Sequence, residues 1–204
     1  MYKNTLLNAL FTTNHEKDIK YIPYNNKHIL GITSLWMCIP IYYGLYSFDY
    51  NIIILSLLLS CVCLVSTLFW SNPKGNSFLH KLDKICVWIF FITLLFINNN
   101  FILIGLIFIL YIMSFIFFIK NYNTLQFISH LLFRYVFYWW CHIVMVPINV
   151  NFIYTFIIIS IGYFSHVLLL YNINIQKITY WYSCILLLFW IYCNKEILKY
   201  LHES

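Results

Sequence analysis

Charged residues are scarce in this sequence. Asp, Glu, Lys and Arg make up 9% of its 204 residues, whereas 63% are hydrophobic. A soluble domain of this length needs a largely charged and polar surface, so the composition excludes a water-soluble globular protein. Repeated apolar segments that are long enough to cross a bilayer predict instead an all-α integral membrane protein.

Glycine and proline are also rare, with five and four residues respectively. Few turns can therefore be built, and no linker rich in these residues marks a second domain. The sequence predicts three parts. They are a polar N-terminal segment with a short interfacial helix at 1–28, a polytopic helical membrane domain at 29–194, and a short polar C-terminal tail at 195–204.

The chain contains an excess of positive charge and several cysteines, but their positions do not indicate nucleic-acid binding, disulfides or a metal site. The net charge of +6 comes mainly from lysines in the terminal segments and in the connections between apolar segments. Membrane topology accounts for lysines in such places, and we expect no nucleic-acid partner. The seven cysteines lie in or beside apolar segments and form no Cys-x-x-Cys pair. They are expected to be small buried hydrophobic residues rather than disulfides or metal ligands.

Seven apolar segments are predicted to be transmembrane helices. They cover 29–48, 51–70, 82–97, 101–119, 125–146, 150–171 and 178–194. The third and seventh segments are short for a full crossing, so six spans are the alternative. When successive connections are assigned alternately to the two sides, most lysines fall on the side of the N-terminus, which predicts that the N-terminus is on the inner side. Short connections such as Asp49-Tyr50 imply antiparallel neighbours.

The segment 125–146 is the only one that carries a cation and two histidines. Arg134, the sole arginine of the chain, lies about 9 residues from its start, or ~13 Å into a helix at 1.5 Å per residue. A cation at that depth is costly unless it faces the bundle interior and finds carbonyl or carboxylate partners. We therefore predict a structural polar network, in which Asp83 pairs with Arg134 or caps the third helix. Its members are Asp83, His130, Arg134, His142 and His166.

The predicted topology also allows metal chemistry near the inner leaflet. Three imidazoles and a nearby carboxylate are the groups that hold zinc with a reactive water. In this alternative, zinc is bound by His80, His130 and His166, while Asp83 orients the water and Ser66 assists. No two of these histidines are four residues apart on one helix, so the spacing favours a structural network without a cofactor.

These same residues carry a resemblance to a known family. Ser66 followed by Phe69-Trp70, with Asp83 opening the next helix and an inner N-terminus, is similar to the CREST superfamily, which includes the alkaline ceramidases and the progestin and adiponectin receptors. The resemblance implies a seven-helix bundle with an inner-leaflet zinc site, in which Ser66 and Asp83 match family ligands. However, Trp70 stands in the place of the second-helix histidine, and the seventh segment contains no histidine, so the family's metal ligands are not retained.

A second resemblance involves a longer pattern. Ser66-Thr67-Leu68-Phe69-Trp70 with His80-Lys81-Leu82-Asp83, and later Phe133-Arg134-Tyr135, looks like uncharacterised multi-span membrane proteins from large DNA viruses of protists. These proteins have no assigned activity to transfer. Heavy use of Asn, Ile, Phe, Tyr and Lys is typical of AT-rich genomes, which include those of organelles, some protists and their viruses.

The function expected from these features is structural rather than catalytic. We expect an assembly protein of a larger membrane-associated complex, with the lipid bilayer and other membrane proteins as partners. The candidate locations are the internal membrane of a virion and the mitochondrial inner membrane, where the host would be a respiratory or ATP-synthase complex. The alternatives are a CREST-like, metal-dependent hydrolase of lipid amides or esters and a transporter or proton path. The sequence contains no internal repeat of the kind that transporters commonly have, and this weighs against the transporter alternative.

Overall fold

The structure is a computed structural model, and it describes residues 27–71, 77–98, 100–146, 152–172, 178, 180–185 and 188. Every regular element in these ranges is helical, as predicted. The elements are α1 (Lys27–Thr33), a 3-10 helix (Ser34–Met37), α2 (Cys38–Leu45), α3 (Tyr50–Ser71), α4 (Phe78–Ile97), α5 (Phe101–Ile119), α6 (Asn123–Met145) and α7 (Phe152–Tyr171). Three helical stretches are long and apolar enough to cross a membrane: His28–Leu45, Tyr50–Ser71 and Phe101–Ile119.

The predicted apolar segments correspond closely to the helices. The fourth segment, 101–119, has the same bounds as α5, and the second segment, 51–70, differs from α3 by one residue at each end. Helical residues at 180–185 fall within the seventh segment. Most of that segment lies outside the described residues, as do the predicted interfacial helix of the N-terminal segment and the tail at 195–204.

The third segment begins earlier than predicted, and this corrects one role assigned to Asp83. Helix α4 begins at Phe78 because the Ser77 side chain accepts a hydrogen bond from the backbone N–H of His80, at 3.2 Å. Serine is a strong N-cap because its oxygen satisfies a donor that has no partner within the helix. Asp83 therefore lies more than one turn inside α4 and does not cap it.

The first apolar segment is interrupted near its middle. Pro40 has no backbone N–H, so the helical hydrogen bond to the residue four positions earlier cannot form. The residues just before it, Ser34–Met37, take the tighter 3-10 form between α1 and α2. The Thr33 hydroxyl also bonds back to the carbonyl oxygen of Ile29 at 2.7 Å. Such back-bonding often bends a helix, so local sequence explains the interruption.

Polar residues fix the short connections between helices. Before α3, the Asp49 carboxylate accepts from the backbone N–H of Asn51 at 2.8 Å. After α5, Asn121 adopts a left-handed conformation with a φ of 57°, which asparagine tolerates better than most residues. The backbone N–H of Tyr122 then donates to the carbonyl of Phe117 at 2.9 Å, which ends the helix in a Schellman-type turn. Helices α5 and α6 consequently form an antiparallel hairpin.

The first apolar stretch forms the centre of the bundle. Of residues 28–45, 78% are buried, whereas only 11% of α5 is buried. Trp36 is almost fully buried and packs on Tyr138 of α6 and Tyr163 of α7, with ring centroids 6.3 and 5.8 Å away. Close packing depends on Gly31, where an added Cβ would overlap the Tyr180 hydroxyl and lie 3.0 Å from Trp70 Cβ. Helix α5 is peripheral and packs mainly on α6.

Candidate functional site

The guanidinium group of Arg134 is inserted between α6 and the central part of the bundle. It donates hydrogen bonds to the carbonyl oxygen of Leu30, to Ser34 Oγ at 2.7 Å and to Ser66 Oγ at 3.3 Å. These acceptors belong to α1, the 3-10 helix and α3. A single cation thus connects three elements to α6, and it does so through uncharged oxygens.

The carbonyl group of Leu30 is the point on α1 where side-chain donors converge. The hydroxyls of Thr33 and Ser34 also donate to this oxygen, at 3.2 and 3.0 Å. Both hydroxyls belong to the region where the α-helix gives way to the 3-10 helix. The interruption therefore places hydroxyl groups beside the Leu30 carbonyl, and Ser34 serves both as a donor to Leu30 and as an acceptor from Arg134.

Trp70 supplies an aromatic face to the same cation. The centre of the Arg134 guanidinium lies 5.4 Å from the centroid of the Trp70 ring, within the range of a cation–π interaction. Trp70 is buried and also contacts the ring of His130, at 5.7 Å between centroids. Trp70 thus packs against both the arginine and His130.

Asp83 interacts with Arg134 across Ser66 and forms no direct ion pair with it. The Ser66 hydroxyl lies beside the Asp83 carboxyl group, and Asp83 and Arg134 attract each other electrostatically. The predicted direct pairing is therefore replaced by an arrangement with a hydroxyl in the middle. The Oδ1 atom of Asp83 is buried and has no hydrogen-bond partner among the described residues.

A cavity of about 170 Å³ adjoins this polar group. It lies between the α3–α4 pair and the α5–α6 pair. Its walls are mostly apolar and aromatic side chains, and polar groups are gathered in one part of the lining. The polar lining includes Ser34, Ser66, His80, Asp83, Lys84, His130 and Arg134. The structure thus brings together five sequence-predicted residues: Ser66, His80, Asp83, His130 and Arg134.

The two histidines beside the cavity are held by aromatic packing. His80 is buried and stacks on Phe69, with ring centroids 5.0 Å apart and an angle of 13° between the planes. His130 packs between Trp70 and Phe133, each 5.7 Å away between centroids. Both imidazoles are consequently fixed in orientation by rings of α3 and α6.

The other two histidines of the predicted network lie elsewhere. His166 on α7 accepts a hydrogen bond at Nδ1 from the indole N–H of Trp36 at 3.4 Å. His142 is buried against Trp139, with centroids 5.2 Å apart. It is eight residues from Arg134, or ~12 Å along a helix at 1.5 Å per residue, which is too far to share a cluster. The network therefore contains Asp83 and Arg134 with His130 nearby, but not His142 or His166.

The zinc alternative needs His80, His130 and His166 to converge, and they do not. His166 packs against Trp36 and does not line the cavity. Across the part of the chain that the structure describes, no group of three or more His, Cys, Asp or Glu side chains is arranged to hold a metal ion. The cavity thus presents the carboxyl group of Asp83 and the imidazoles of His80 and His130, but not the imidazole of His166.

Sequence reasoning missed two contacts of the first helix. Ser34 was not singled out, because hydroxyl residues are common in apolar helices and usually bond to their own backbone. His28, which belongs to the predicted polar N-terminal segment 1–28, is buried, and its Nε2 lies 3.4 Å from the carbonyl oxygen of Leu170 on α7. The signal available was the position of His28 directly before an apolar run.

The chain matches no protein-family model, no curated protein and no solved structure at significant similarity.

Proposed function

We propose that this chain is a multi-pass membrane protein with a structural or assembly role in a larger membrane-associated complex. The observation that carries the proposal is the engagement of Arg134. Its donors bond oxygens of the chain's own α1, 3-10 helix and α3, at Leu30, Ser34 and Ser66. A cation used in this way fixes the packing of helices, because three of its five N–H donors bond to oxygens of the fold itself.

The membrane setting is supported by the distribution of apolar surface. Three helical stretches have the length and composition of membrane spans. On the peripheral helix α5, large apolar side chains such as Ile102 and Ile109 are 82% and 57% exposed. Water would disfavour this surface, whereas lipid or a partner helix would cover it at no such cost. In this proposal the N-terminus is on the inner side and about seven helices cross the bilayer.

The proposed host assembly follows from residue usage and from the small size of the connections. Short connections leave little surface for soluble partners, so other membrane proteins are the proposed partners. AT-rich residue usage favours a virion internal membrane or a respiratory or ATP-synthase complex of the mitochondrial inner membrane. A hydrolase of the CREST type has weaker support, because the described residues do not assemble its zinc ligands.

The structural part of the proposal is tested by replacing Arg134. Arg134→Leu removes all three hydrogen bonds and leaves Lys84 as the remaining cation that interacts with Asp83. The loss should reach at least ~1.5–3 kcal/mol, the net value of one hydrogen bond to a charged group. This corresponds to a fall of roughly 3–12 °C in the apparent melting temperature in mild detergent. The melting temperature of Arg134→Lys should lie between those of the wild type and Arg134→Leu, since one ammonium group cannot reproduce the planar donor fork of a guanidinium group.

The matched control is Lys120→Leu, which removes one positive charge from the exposed turn between α5 and α6. This variant should leave the apparent melting temperature and the chromatographic elution of the purified protein unchanged. An Arg134→Leu protein that inserts, elutes and melts like the wild type would refute a structural role for this cation.

The assembly part is tested separately with tagged chain solubilised from its native membrane. The wild type should migrate above the mass of a single chain and retain other membrane proteins in stoichiometric amounts, and Arg134→Leu should lose them. Wild-type chain that migrates alone under these conditions would contradict the assembly role.

A further inference from the structure

The cavity beside Arg134 has the size and lining of a ligand site. An engineered apolar cavity of about 150 Å³ binds benzene, so a cavity of about 170 Å³ accommodates roughly six to eight carbon-sized atoms. Its apolar part is built from several helices, with Val62, Phe91 and Phe137 among the lining residues. Its polar part contains a carboxyl group and an arginine. The combination of apolar walls and a few converging polar groups is typical of small-molecule sites.

The polar part lacks one hydrogen-bond donor. Asp83 Oδ1 is buried and accepts no hydrogen bond from any described residue. The Arg134 donors are directed at Leu30, Ser34 and Ser66. A buried carboxyl oxygen without a donor is unfavourable, because it has lost its hydration and gained nothing in exchange. A ligand atom that donates to Oδ1 would remove that penalty.

The charges around Asp83 restrict the ligand to an uncharged donor. Arg134 and Lys84 both already interact with Asp83 electrostatically, so an ammonium group would be repelled by two neighbouring cations. A carboxylate or phosphate would bring a second acidic group against Asp83 and could not donate to Oδ1. A hydroxyl donates and accepts at once, so it fits the carboxyl group in either protonation state.

Side chains of α4 and α5 that line the cavity also reach the outside of the bundle. Trp88 of α4 and Phe108 of α5 line the cavity and are also 44% and 40% exposed. The backbones of α4 and α5 hardly approach one another, and the helices meet through ring contacts, such as Phe91 with Phe108 at 5.5 Å and Trp88 with Tyr111 at 6.4 Å. Side chains that form the wall between two helices can separate without breaking backbone packing.

We propose that this cavity binds the hydroxyl end of a single-chain, uncharged amphiphile, with the hydroxyl donating to Asp83 Oδ1 and the hydrocarbon tail leaving between Trp88 and Phe108. The chain must be single, because the volume cannot hold two acyl chains or a fused-ring sterol. A long-chain primary alcohol and a monoacylglycerol share this chemistry. The exit of the tail into lipid depends on the proposed membrane setting, whereas the pairing of the hydroxyl with Asp83 does not.

The test uses a long-chain primary alcohol that carries a diazirine near the hydroxyl and a terminal alkyne. The purified full chain is reconstituted in phosphatidylcholine nanodiscs, irradiated and mapped by mass spectrometry. Crosslinks are expected on cavity-lining residues of α3, α4 and α6. Excess hexadecanol or monopalmitoylglycerol should remove them, and whichever competes at lower concentration identifies the preferred source. Hexadecane, palmitic acid and hexadecylamine should not compete.

Two variants examine the two ends of the site. Asp83→Leu removes the acceptor at similar volume and should lower cavity crosslinking about tenfold, as expected for one hydrogen bond to a charged group. Val62→Phe fills the apolar part and should lower crosslinking to a similar extent. Ile109→Phe adds the same bulk on the exposed face of α5, at a position that does not line the cavity, and should have no effect.

The competition experiment on the wild type keeps the proposal falsifiable if a variant fails to fold. Equal competition by hexadecane would show that the hydroxyl is not recognised, and competition by palmitic acid or hexadecylamine would show a charged ligand. Crosslinks spread evenly over the outer surface of α5 would show non-specific lipid contact. Each of these results overturns the binding site and leaves the structural role of Arg134, measured by melting, untouched.

Discussion

The side chain of Arg134 donates to the backbone carbonyl of Leu30, 104 residues earlier in the chain. One end of this contact is the only arginine in the sequence, and the other is a carbonyl beside a helix interruption. The contact connects α6 to the most buried stretch of the bundle. The stability that this hydrogen bond provides depends on the hydroxyl groups around it, and each of these can be removed by a single substitution.

Ser66→Ala should destabilise the bundle more than a hydroxyl deletion elsewhere on α3. The Ser66 hydroxyl accepts a hydrogen bond from Arg134 and lies beside Asp83, so its removal takes an acceptor from the cation and a polar neighbour from the carboxyl group. The expected loss is ~1–3 kcal/mol, seen as a lower melting temperature in detergent. Ser60→Ala is the control, because the Ser60 hydroxyl bonds only its own helix at the Ser56 carbonyl. Similar losses in both variants would argue against a bridging role for Ser66.

Gly31→Ala should be strongly disfavoured, whereas Gly105→Ala should be tolerated. A Cβ at Gly31 would overlap the Tyr180 hydroxyl, but one at Gly105 would meet nothing within 4 Å. Overpacking of this kind costs ~1–3 kcal/mol, while alanine on exposed α5 should gain up to ~1 kcal/mol of helix propensity. Thermal melting of the two variants measures the difference.

Partial rescue of Gly31→Ala by Tyr180→Phe would identify the clash. The phenylalanine removes the overlapping oxygen, although it also loses the hydrogen bond from Tyr180 to the Thr67 carbonyl at 2.7 Å. No rescue at all would place the difficulty at Trp70 instead.

Cysteine labelling should report the predicted topology. Asp49 lies in the connection before α3 and Lys120 in the turn after α5, and both are exposed. With the N-terminus on the inner side, Asp49→Cys should react with a membrane-impermeant maleimide from outside, and Lys120→Cys only after permeabilisation. The unaltered chain gives the background from its own cysteines. The reverse pattern would invert the orientation, and labelling of both from one side would reduce the number of spans between them.

Helix bounds were predictable because length and apolarity act locally. The match at 101–119 and the near match at 51–70 follow from long apolar runs whose interiors contain small hydroxyl residues but no charged residue. The start of α4 was missed because Ser77, five residues before the predicted start at residue 82, supplies the cap. A cap depends on one side chain, and hydropathy does not detect it.

The composition of the polar cluster was only partly predictable. Arg134 and Asp83 were singled out because a buried cation needs oxygen partners, whereas Ser66 was singled out only for the zinc alternative, and the structure places all three together. Ser34 and the Leu30 carbonyl were missed because their contribution depends on how α1 is rotated and which helix it faces. His142 and His166 were included on helical face and depth alone. Neither criterion determines the order of helices around a bundle, and His142 is also displaced along α6.

The buried position of the first apolar stretch has a consequence for biogenesis. Its partners are made late: Trp36 binds His166, and His28 contacts Leu170, 130 and 142 residues further along the chain. During synthesis the ribosome delivers the central element of the bundle first and its surroundings last. In the proposed membrane setting, the hydroxyls and the histidine of that element must therefore remain without these partners until α7 has been made. Completion of α7, rather than insertion of the first span, is the step at which the native core can close.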